Sequence, residues 1–191
     1  PRVTISNPAN GTIFNQKNII ATGTCSDNDG VKKVTLEIYK PPQVAPVLII
    51  NNIVIDQSTG AWSCKLQNLV DGELIIKAFG EDNLGKVSSE KATTNIKIDT
   101  VAPNIVIKKI EPGQTTESAN AKIISYAQDA GSGLARYVAK LEDRQGKIQE
   151  IASFVFANKP ANNENSPITT NLILTPGKNI VHLFYYDVVG N

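Results

Sequence analysis

Apolar and polar side chains alternate along most of this chain. The alternation is clear over Val34–Ile38 and again over Leu74–Ala78. A period of two residues is typical of a β-strand with one buried face and one solvated face. The 3.6-residue period of an amphipathic helix is almost absent, and turn sequences rich in glycine separate the apolar runs. The pattern therefore predicts an all-β chain built from antiparallel sandwiches.

The alternating runs predict seven strands in the first half of the chain and six in the second. The first set is Val3–Ser6, Ile19–Cys25, Val31–Tyr39, Leu48–Ile55, Ala61–Leu66, Glu73–Glu81 and Ala92–Ile98. The second set is Asn104–Lys109, Lys122–Ala127, Ala135–Leu141, Lys147–Ala152, Thr169–Leu174 and Ile180–Asp187. Turns are predicted between them, among others at Asp71-Gly72 and Pro112-Gly113. Since such a sandwich has seven strands, we expect the second one to lack its last strand, which either lies beyond Asn191 or is supplied by another chain.

Three short motifs occur twice in the same order. They are Pro1–Ile5 with Pro103–Ile107, Asp27–Val31 with Asp129–Leu134, and Asp82–Gly85 with Asp187–Gly190. Their offsets are 102 (103 − 1), 102 (129 − 27) and 105 (187 − 82) residues. Such a repeat predicts two copies of one domain, residues 1–99 and 100–191. Pro103 restricts the backbone of the link between them, so we expect a stiff, extended connection.

Composition and charge exclude several classes of partner. The chain has 191 residues, which is room for two domains of about 100 residues each. A formal net charge of +1 provides no field that would attract nucleic acid or an anionic membrane. No apolar run approaches the roughly 20 residues that span a bilayer. We therefore expect no nucleic-acid partner and no membrane insertion in this segment.

The order of these motifs resembles bacterial immunoglobulin-like (Big-type) repeats, which occur in tandem in surface proteins and adhesins. The residues that carry the resemblance are Pro1–Ile5, Gly23–Val31, Trp62, Asp71-Gly72, Ala78–Gly85, Ile98–Pro103, Asp129–Leu134 and Asp187–Asn191. The resemblance implies two tandem immunoglobulin-like sandwiches, cut from a longer exported bacterial protein that is extracellular, on the cell surface or periplasmic. It implies a rigid spacer or binding module without catalysis. Neighbouring repeats are the implied partners, together with a host or surface protein or a glycan.

Two other functions stay open. One is an accessory module of a secreted enzyme, of the carbohydrate-binding type, for which an exposed aromatic platform would be the sign. The other is a subunit that pairs with a partner by strand addition, because a missing last strand leaves a sheet edge bare.

Hydrolytic catalysis has few candidate residues in this chain. His182 is the only histidine, so a Ser-His-Asp or Cys-His site would have to use it. Counting back in steps of two from Asp187 places His182 on the outer face of its strand, where the local pattern offers no carboxylate. Adjacent carboxylates such as Glu142 and Asp143 point to opposite faces of a strand. We expect no catalytic residues and no enzyme.

Cys25 and Cys64 are predicted to face the core of the first sandwich. Cys25 shares a face with Ala21, and Cys64 shares a face with Trp62. The second and fifth strands are neighbours in a sandwich of this kind, so an exported protein is expected to join the two sulfurs. Such a bridge would close a loop of 39 residues (64 − 25) and contribute about 3–4 kcal/mol. The alternative is two buried free thiols.

Aspartates in the loops suggest calcium sites. Some members of the resembling family bind calcium at domain junctions, and calcium takes six to eight oxygen ligands. The loops at the entry end of the second sandwich carry Asp129 and Asp187, and the chain enters through Asp99, so we expect a junction site there. A second, weaker set at the first sandwich is Asp27, Asp29 and Asp82. The simpler interpretation is ordinary turn chemistry, since Asp caps its own backbone.

An apolar row is predicted on the outer face of the last strand. Its members are Ile180, His182, Phe184 and Tyr186, which alternate with inward residues. An exposed apolar row implies internal cover or a partner. We favour internal cover by the long connection Ser153–Ile168, and the four residues are our candidates for partner binding otherwise.

Overall fold

The computed structural model describes residues 1–111 and 119–191, which form two compact units. Unit 1 is Pro1–Thr100 and unit 2 is Val101–Asn191. The described residues form β-strands and no helix. Among them there is accordingly no helix long and apolar enough to cross a membrane. The prediction of two tandem all-β sandwiches is confirmed. The predicted Pro112-Gly113 turn lies outside the described residues.

Unit 1 is a sandwich of two sheets. Its strands are β1 (Arg2–Val3), β2 (Thr12–Phe14), β3 (Ile19–Ser26), β4 (Val31–Tyr39), β5 (Leu48–Ile53), β6 (Ala61–Leu66), β7 (Gly72–Asp82) and β8 (Ala92–Ile98). One sheet has the order β1-β3-β6 and the other has the order β2-β8-β7-β4-β5. All pairs are antiparallel except β2 with β8. The sequence prediction missed β2, because three residues are too few to show a period of two.

Alternation along the strands builds the core of unit 1. On β7 every second residue from Leu74 to Asp82 is buried. Leu36 and Ile38 of the neighbouring strand β4 are fully buried on the same face of this sheet, and Trp62 of β6 is buried in the other sheet. All of these apolar residues belong to one continuous cluster. Full burial of a side chain such as Leu36 stabilises a fold by about 1.5–3 kcal/mol.

Unit 2 repeats the plan with six described strands. They are β9 (Asn104–Glu111), β10 (Ala119–Gln128), β11 (Leu134–Glu142), β12 (Ile148–Val155), β13 (Ile168–Leu174) and β14 (Ile180–Asp187). Their sheets have the orders β13-β10-β9 and β12-β11-β14, and every pair is antiparallel. The core falls into two clusters, one around Tyr137 and Tyr185 and one around Ile123 and Leu172.

Candidate functional site

One aspartate turn recurs at the ends of the strands. In unit 1 the Oδ1 atom of Asp82 accepts hydrogen bonds from the N–H groups of Leu84 (2.9 Å) and Lys86 (2.8 Å). Gly85 completes the turn with a φ of 85°, a left-handed value that glycine adopts without strain. The carboxylate of Asp82 is buried and serves as an internal cap of this turn.

The same turn follows β14, the last described strand of unit 2. Asp187 accepts hydrogen bonds from the N–H groups of Val189 (3.0 Å) and Asn191 (2.9 Å). A third copy starts at Asp143, whose Oδ1 accepts from the N–H groups two and four residues later at 2.8 and 3.0 Å. Asp143 belongs to neither predicted metal set. These backbone hydrogen bonds therefore form without a neighbouring acidic cluster, which supports turn chemistry for Asp82 and Asp187.

The structure brings the acidic set of unit 1 together. One carboxylate oxygen each of Asp27, Asp29 and Asp82 lies within 4.8 Å of the others. Asp27 accepts a hydrogen bond from the Asp29 N–H at 2.9 Å, and its other oxygen lies 2.8 Å from the amino group of Pro1. Oxygen donors in this arrangement suit a hard cation such as calcium. Calcium at this cluster stays a prediction.

The second predicted metal set is divided between the units. Asp129 and Asp187 belong to unit 2, where both are buried and their nearest carboxylate oxygens lie within 4.8 Å. The two oxygens of Asp129 accept from the N–H groups of Gly131 (2.7 Å) and Gly133 (2.8 Å). Asp99 belongs to unit 1, and its N–H donates to the Phe14 carbonyl at 2.8 Å. The junction site of Asp99, Asp129 and Asp187 stays a prediction.

The predicted disulfide between Cys25 and Cys64 does not form, and both are buried free thiols. The two strands are neighbours as expected, but Cys64 lies opposite Ala21 while the Cys25 N–H donates to the carbonyl of Gly60. Four residues of offset along a strand separate the two positions by about 13 Å. A disulfide requires Cα atoms within about 7 Å. Burial raises the pKa of both thiols, as expected for inert core cysteines.

His182 has a carboxylate partner that the sequence pattern did not reveal. Its Nε2 atom lies 2.9 Å from Oε2 of Glu142 across the β11–β14 pair. Glu142 and His182 are diagonal neighbours on the two strands. This relation depends on the strand register and not on the local sequence. The other partner of the ring is Phe184, which stacks on it at 6.3 Å. The two cysteines lie in unit 1 and His182 lies in unit 2, which places no sulfur nucleophile in the sandwich that holds the histidine.

The predicted outer row of unit 2 is a stack of rings with cations beside it. Phe184 stacks between His182 and Tyr186 with centroids 6.3 Å apart on either side. Arg136 lies over the Tyr186 ring at 4.9 Å and Lys140 over the Phe184 ring at 5.6 Å. The sequence analysis missed these two cations, because the register that aligns β11 with β14 is a tertiary feature. Each contact between a cation and an aromatic ring contributes about 0.5–1 kcal/mol at an exposed site.

Internal cover of this row by Ser153–Ile168 was the wrong expectation. Phe184 is 37% exposed and Ile180 is 36% exposed. Phe156, from the connection that we expected to cover the row, is buried instead and stacks 6.2 Å from Tyr185 on the inward face. Phe156 of the connection therefore packs in the core, and Phe184 and Ile180 of the outer row stay in contact with solvent.

Comparison with known proteins identifies a family for this architecture. Residues 1–106 match the model of a family described as bacterial Ig domain. A search of curated proteins found no match. Among solved structures, a tetra-tandem repeat in the extending region of a large adhesion protein is 19% identical, with a TM-score of 0.40. That alignment covers 99% of this chain and 46% of the adhesion-protein chain.

Two further solved structures are similar over the full chain. Dimeric latent PorU from Porphyromonas gingivalis is 13% identical with a TM-score of 0.39, over 99% of this chain and 18% of that one. The FN1–FN3 domains of chicken CNTN1 are 14% identical with a TM-score of 0.42, over 100% of this chain and 61% of that one. The chain thus spans less than two thirds of each of these proteins. The resemblance to bacterial immunoglobulin-like repeats is confirmed by the family match.

Proposed function

This chain belongs to the bacterial Ig domain family, and we propose that it is a non-enzymatic spacer or binding module of an exported bacterial surface protein. The family match together with the repetition of one sandwich plan in both units carries this proposal. Repeated sandwiches lengthen a protein without adding chemistry, because each unit buries its own core.

Location at the cell surface has a direct test. Antibodies raised against the 191-residue chain are applied to intact and to permeabilised cells of the source bacterium. We expect equal labelling of both, or labelled protein in the culture medium. Labelling that requires permeabilisation of the cytoplasmic membrane would contradict the proposal.

The spacer role depends on a stiff link between the units. Pro103 fixes its own φ and disfavours the helical region for Ala102. We expect small-angle scattering of the chain to give a narrow distance distribution. Pro103→Gly should broaden the distance distribution, and Pro160→Gly, a matched change away from the link, should not. A broad distribution in the unchanged chain would contradict a stiff spacer.

Our secondary proposal is that the chain binds calcium and that the bound ion makes the loops more rigid. The support in unit 1 is the proximity of Asp27, Asp29 and Asp82, whose carboxylate oxygens lie within 4.8 Å. Asp29→Asn is the sharpest variant, because Asp29 is exposed whereas Asp82 caps a turn. We expect calcium to raise the melting temperature of the chain relative to excess chelator, and Asp29→Asn to reduce that rise. Equal melting temperatures in calcium and in chelator would remove the metal from both predicted sets.

A carbohydrate-binding module is less well supported. Sugars stack on open aromatic faces, whereas the faces of His182, Phe184 and Tyr186 are occupied by one another and by neighbouring cations. The row, with Ile180, stays our candidate surface for a protein partner, since Ile180 and Phe184 are exposed apolar side chains.

A further inference from the structure

The outer sheet face of unit 1 neutralises its cations with carboxylates of the same unit. Lys33 of β4 lies beside Glu81 of β7 in the register and forms an ion pair with it at 3.0 Å. Glu37, four residues further along β4, pairs with Lys91 at 2.7 Å and accepts a hydrogen bond from the Tyr39 hydroxyl at 2.6 Å. Both carboxylates therefore hold a cation in place on this face.

Unit 2 lacks both carboxylates at the matching places of its outer face. The strand register puts Lys140 where unit 1 has Glu37, at an offset of 103 residues (140 − 37). It puts Tyr186 where unit 1 has Glu81, at an offset of 105 residues (186 − 81). A lysine and a tyrosine thus replace two acids, and Arg136 lies opposite a ring instead of a carboxylate.

Two cations of unit 2 consequently have no partner of opposite charge. Among the described residues no ion pair joins Arg136 or Lys140 to a carboxylate, although Glu150 lies opposite Lys140 on β12. Arg136 lies over the Tyr186 ring at 4.9 Å and Lys140 over the Phe184 ring at 5.6 Å. A ring attracts a cation through its quadrupole but carries no net charge to balance it. Both cations can therefore bind an anion.

The spacing of the rings under these cations suits an extended peptide. The centroids of Phe184 and Tyr186 are 6.3 Å apart. Side chains two residues apart on one face of an extended chain are separated by about 6.6 Å. Carboxylates at alternate positions of such a peptide can therefore reach both cations at once.

The other end of the outer row favours apolar side chains. Glu142 is paired there with His182 at 2.9 Å, so a further carboxylate of a partner would be repelled. Beyond this pair Ile180 is 36% exposed. The face is therefore cationic at one end and apolar at the other.

We infer that the outer face of β11 and β14 binds an extended acidic segment of a partner protein, whose carboxylates at alternate positions pair with Arg136 and Lys140. Apolar side chains further along the segment pack on His182 and Ile180. A protein is favoured over an anionic glycan, because the ring faces on which a sugar would stack are occupied. The inference rests on the binding role proposed above and names the chemistry of the partner.

A synthetic peptide tests this face directly. It has glutamate at its first and third positions, leucine at its fifth and seventh, and threonine between them. We expect it to shift the amide resonances of β11 and β14 and to leave those of β4 and β7 in place. The same peptide with glutamine for both glutamates should bind about tenfold more weakly, since two ion pairs are lost.

Variants of the two cations identify the contacts. Arg136→Gln and Lys140→Gln should each weaken binding by about two- to fivefold, the change expected for one exposed ion pair. Lys33→Gln, at the place in unit 1 that matches Arg136, should leave binding unchanged. Lys140→Glu should weaken it further, and a peptide with lysine at its third position should recover most of the binding to that variant.

The opposite results are equally clear. Unshifted β11 and β14 resonances, or equal binding of the glutamate and glutamine peptides, would overturn the inference. Polygalacturonate that binds this face more tightly than the peptide, and less tightly after Arg136→Gln, would overturn the assignment to a protein segment. Neither result would touch the surface location or the spacer role, because cell labelling and scattering test those separately.

Discussion

The two sandwiches share a plan but fill their cores from opposite sheets. In unit 1 Gly23 of β3 lies opposite Trp62 of β6, and a methyl group at Gly23 would overlap both the indole ring and the Thr4 carbonyl. In the same way, a methyl group at Gly80 of β7 would overlap the sulfur of Cys25. The bulky ring therefore comes from the β1-β3-β6 sheet, and Gly23 makes room for it.

Unit 2 has the reverse arrangement at the matching positions. Ser125 stands where unit 1 has Gly23, and Tyr185 stands where unit 1 has Gly80, at the repeat offsets of 102 and 105 residues. The two hydroxyl groups are 3.0 Å apart and form a buried hydrogen bond. A second buried hydrogen bond joins Tyr137 to Thr170. The ring here comes from the β12-β11-β14 sheet, and its polar end is satisfied by a partner.

This difference shows how a repeated fold keeps its shape while its sequence diverges. A core requires a constant filled volume, and either sheet can supply it. The cost differs, because a hydroxyl group in a core must be hydrogen-bonded, whereas a close glycine contact only forbids larger residues. The four predictions below compare the two units, and Trp62, the only tryptophan, reports on unit 1 alone.

Truncation of the continuous core should have the largest effect. Leu36→Ala removes a fully buried side chain of unit 1 and should lower its free energy of unfolding by about 2–5 kcal/mol. Denaturant unfolding followed by Trp62 fluorescence measures the loss, and hydrogen exchange of β11 should show unit 2 unaffected. Ile49→Ala, at a half-exposed position of the next strand, should cost far less. Equal losses from the two variants would contradict the assigned core.

Filling the glycine position of unit 1 should have the next largest effect. Gly23→Ala forces the backbone at Thr4 or the Trp62 ring to move, and overpacking of this kind costs about 1–3 kcal/mol. Trp62 fluorescence should report both the loss of stability and a changed ring environment. Gly11→Ala, where the position is open but the φ is 82°, separates backbone strain from overlap. An unchanged emission spectrum for Gly23→Ala would contradict the close contact.

Removal of one hydroxyl group from the core of unit 2 should have a smaller effect. Ser125→Ala leaves the Tyr185 hydroxyl without its 3.0 Å partner and should cost about 1 kcal/mol. Tyr185→Phe should cost a similar amount. The double variant should cost less than the two single losses added, because neither partner is then unsatisfied. Strictly additive losses, measured by hydrogen exchange in unit 2, would show that the pair is not coupled.

Low pH should produce the smallest difference in stability between the two units. Lys17 at 2.7 Å and Thr100 at 2.8 Å hold the pKa of Asp71 at about 2, below its ordinary value of 3.8. A lowered pKa in the folded state stabilises unit 1 above about pH 4, and this contribution disappears as the pH falls toward 2. For a partly exposed pair it amounts to about 1 kcal/mol or less. Pro176 stands at the matching place of unit 2, so no such contribution is expected there.

Variants of the ion pair test this pH dependence. Asp71→Asn should flatten the fall of the unit 1 melting temperature between pH 4 and pH 2, as read from Trp62 fluorescence. Lys65→Met, at an exposed lysine of the same unit, should leave the fall unchanged. An identical fall in Asp71→Asn and the unchanged chain would show that other carboxylates are responsible.

Local pattern was enough for most of the strands and not for the side-chain partners. The alternation over Leu74–Ala78 identifies β7, because burial on one face leaves a period of two in the sequence. The same alternation placed Cys25 and Cys64 in the core correctly. It could not show that the register offsets them by four residues, which is why the predicted disulfide does not form.

The side-chain contacts between paired strands could not be predicted from the sequence. The partners of the outer row, Glu142, Lys140 and Arg136, lie on β11, about 40 to 50 residues away in the chain. Their alignment follows from the register of β11 with β14, which includes a shift between Leu134 and Arg136. A single such shift changes every contact beyond it, and nothing in the local sequence indicates where it occurs.

What the sequence determined by itself was the plan: a duplicated all-β domain with strands between aspartate and glycine turns. Side-chain periodicity and turn chemistry are local properties, so they can be read residue by residue. Only the tertiary structure decided which sheet fills each core, which thiols and rings lie near one another, and that Ile105 and Ile107 stay exposed. These features depend on register and on the packing of one sheet against another, and both join residues that are distant in the chain.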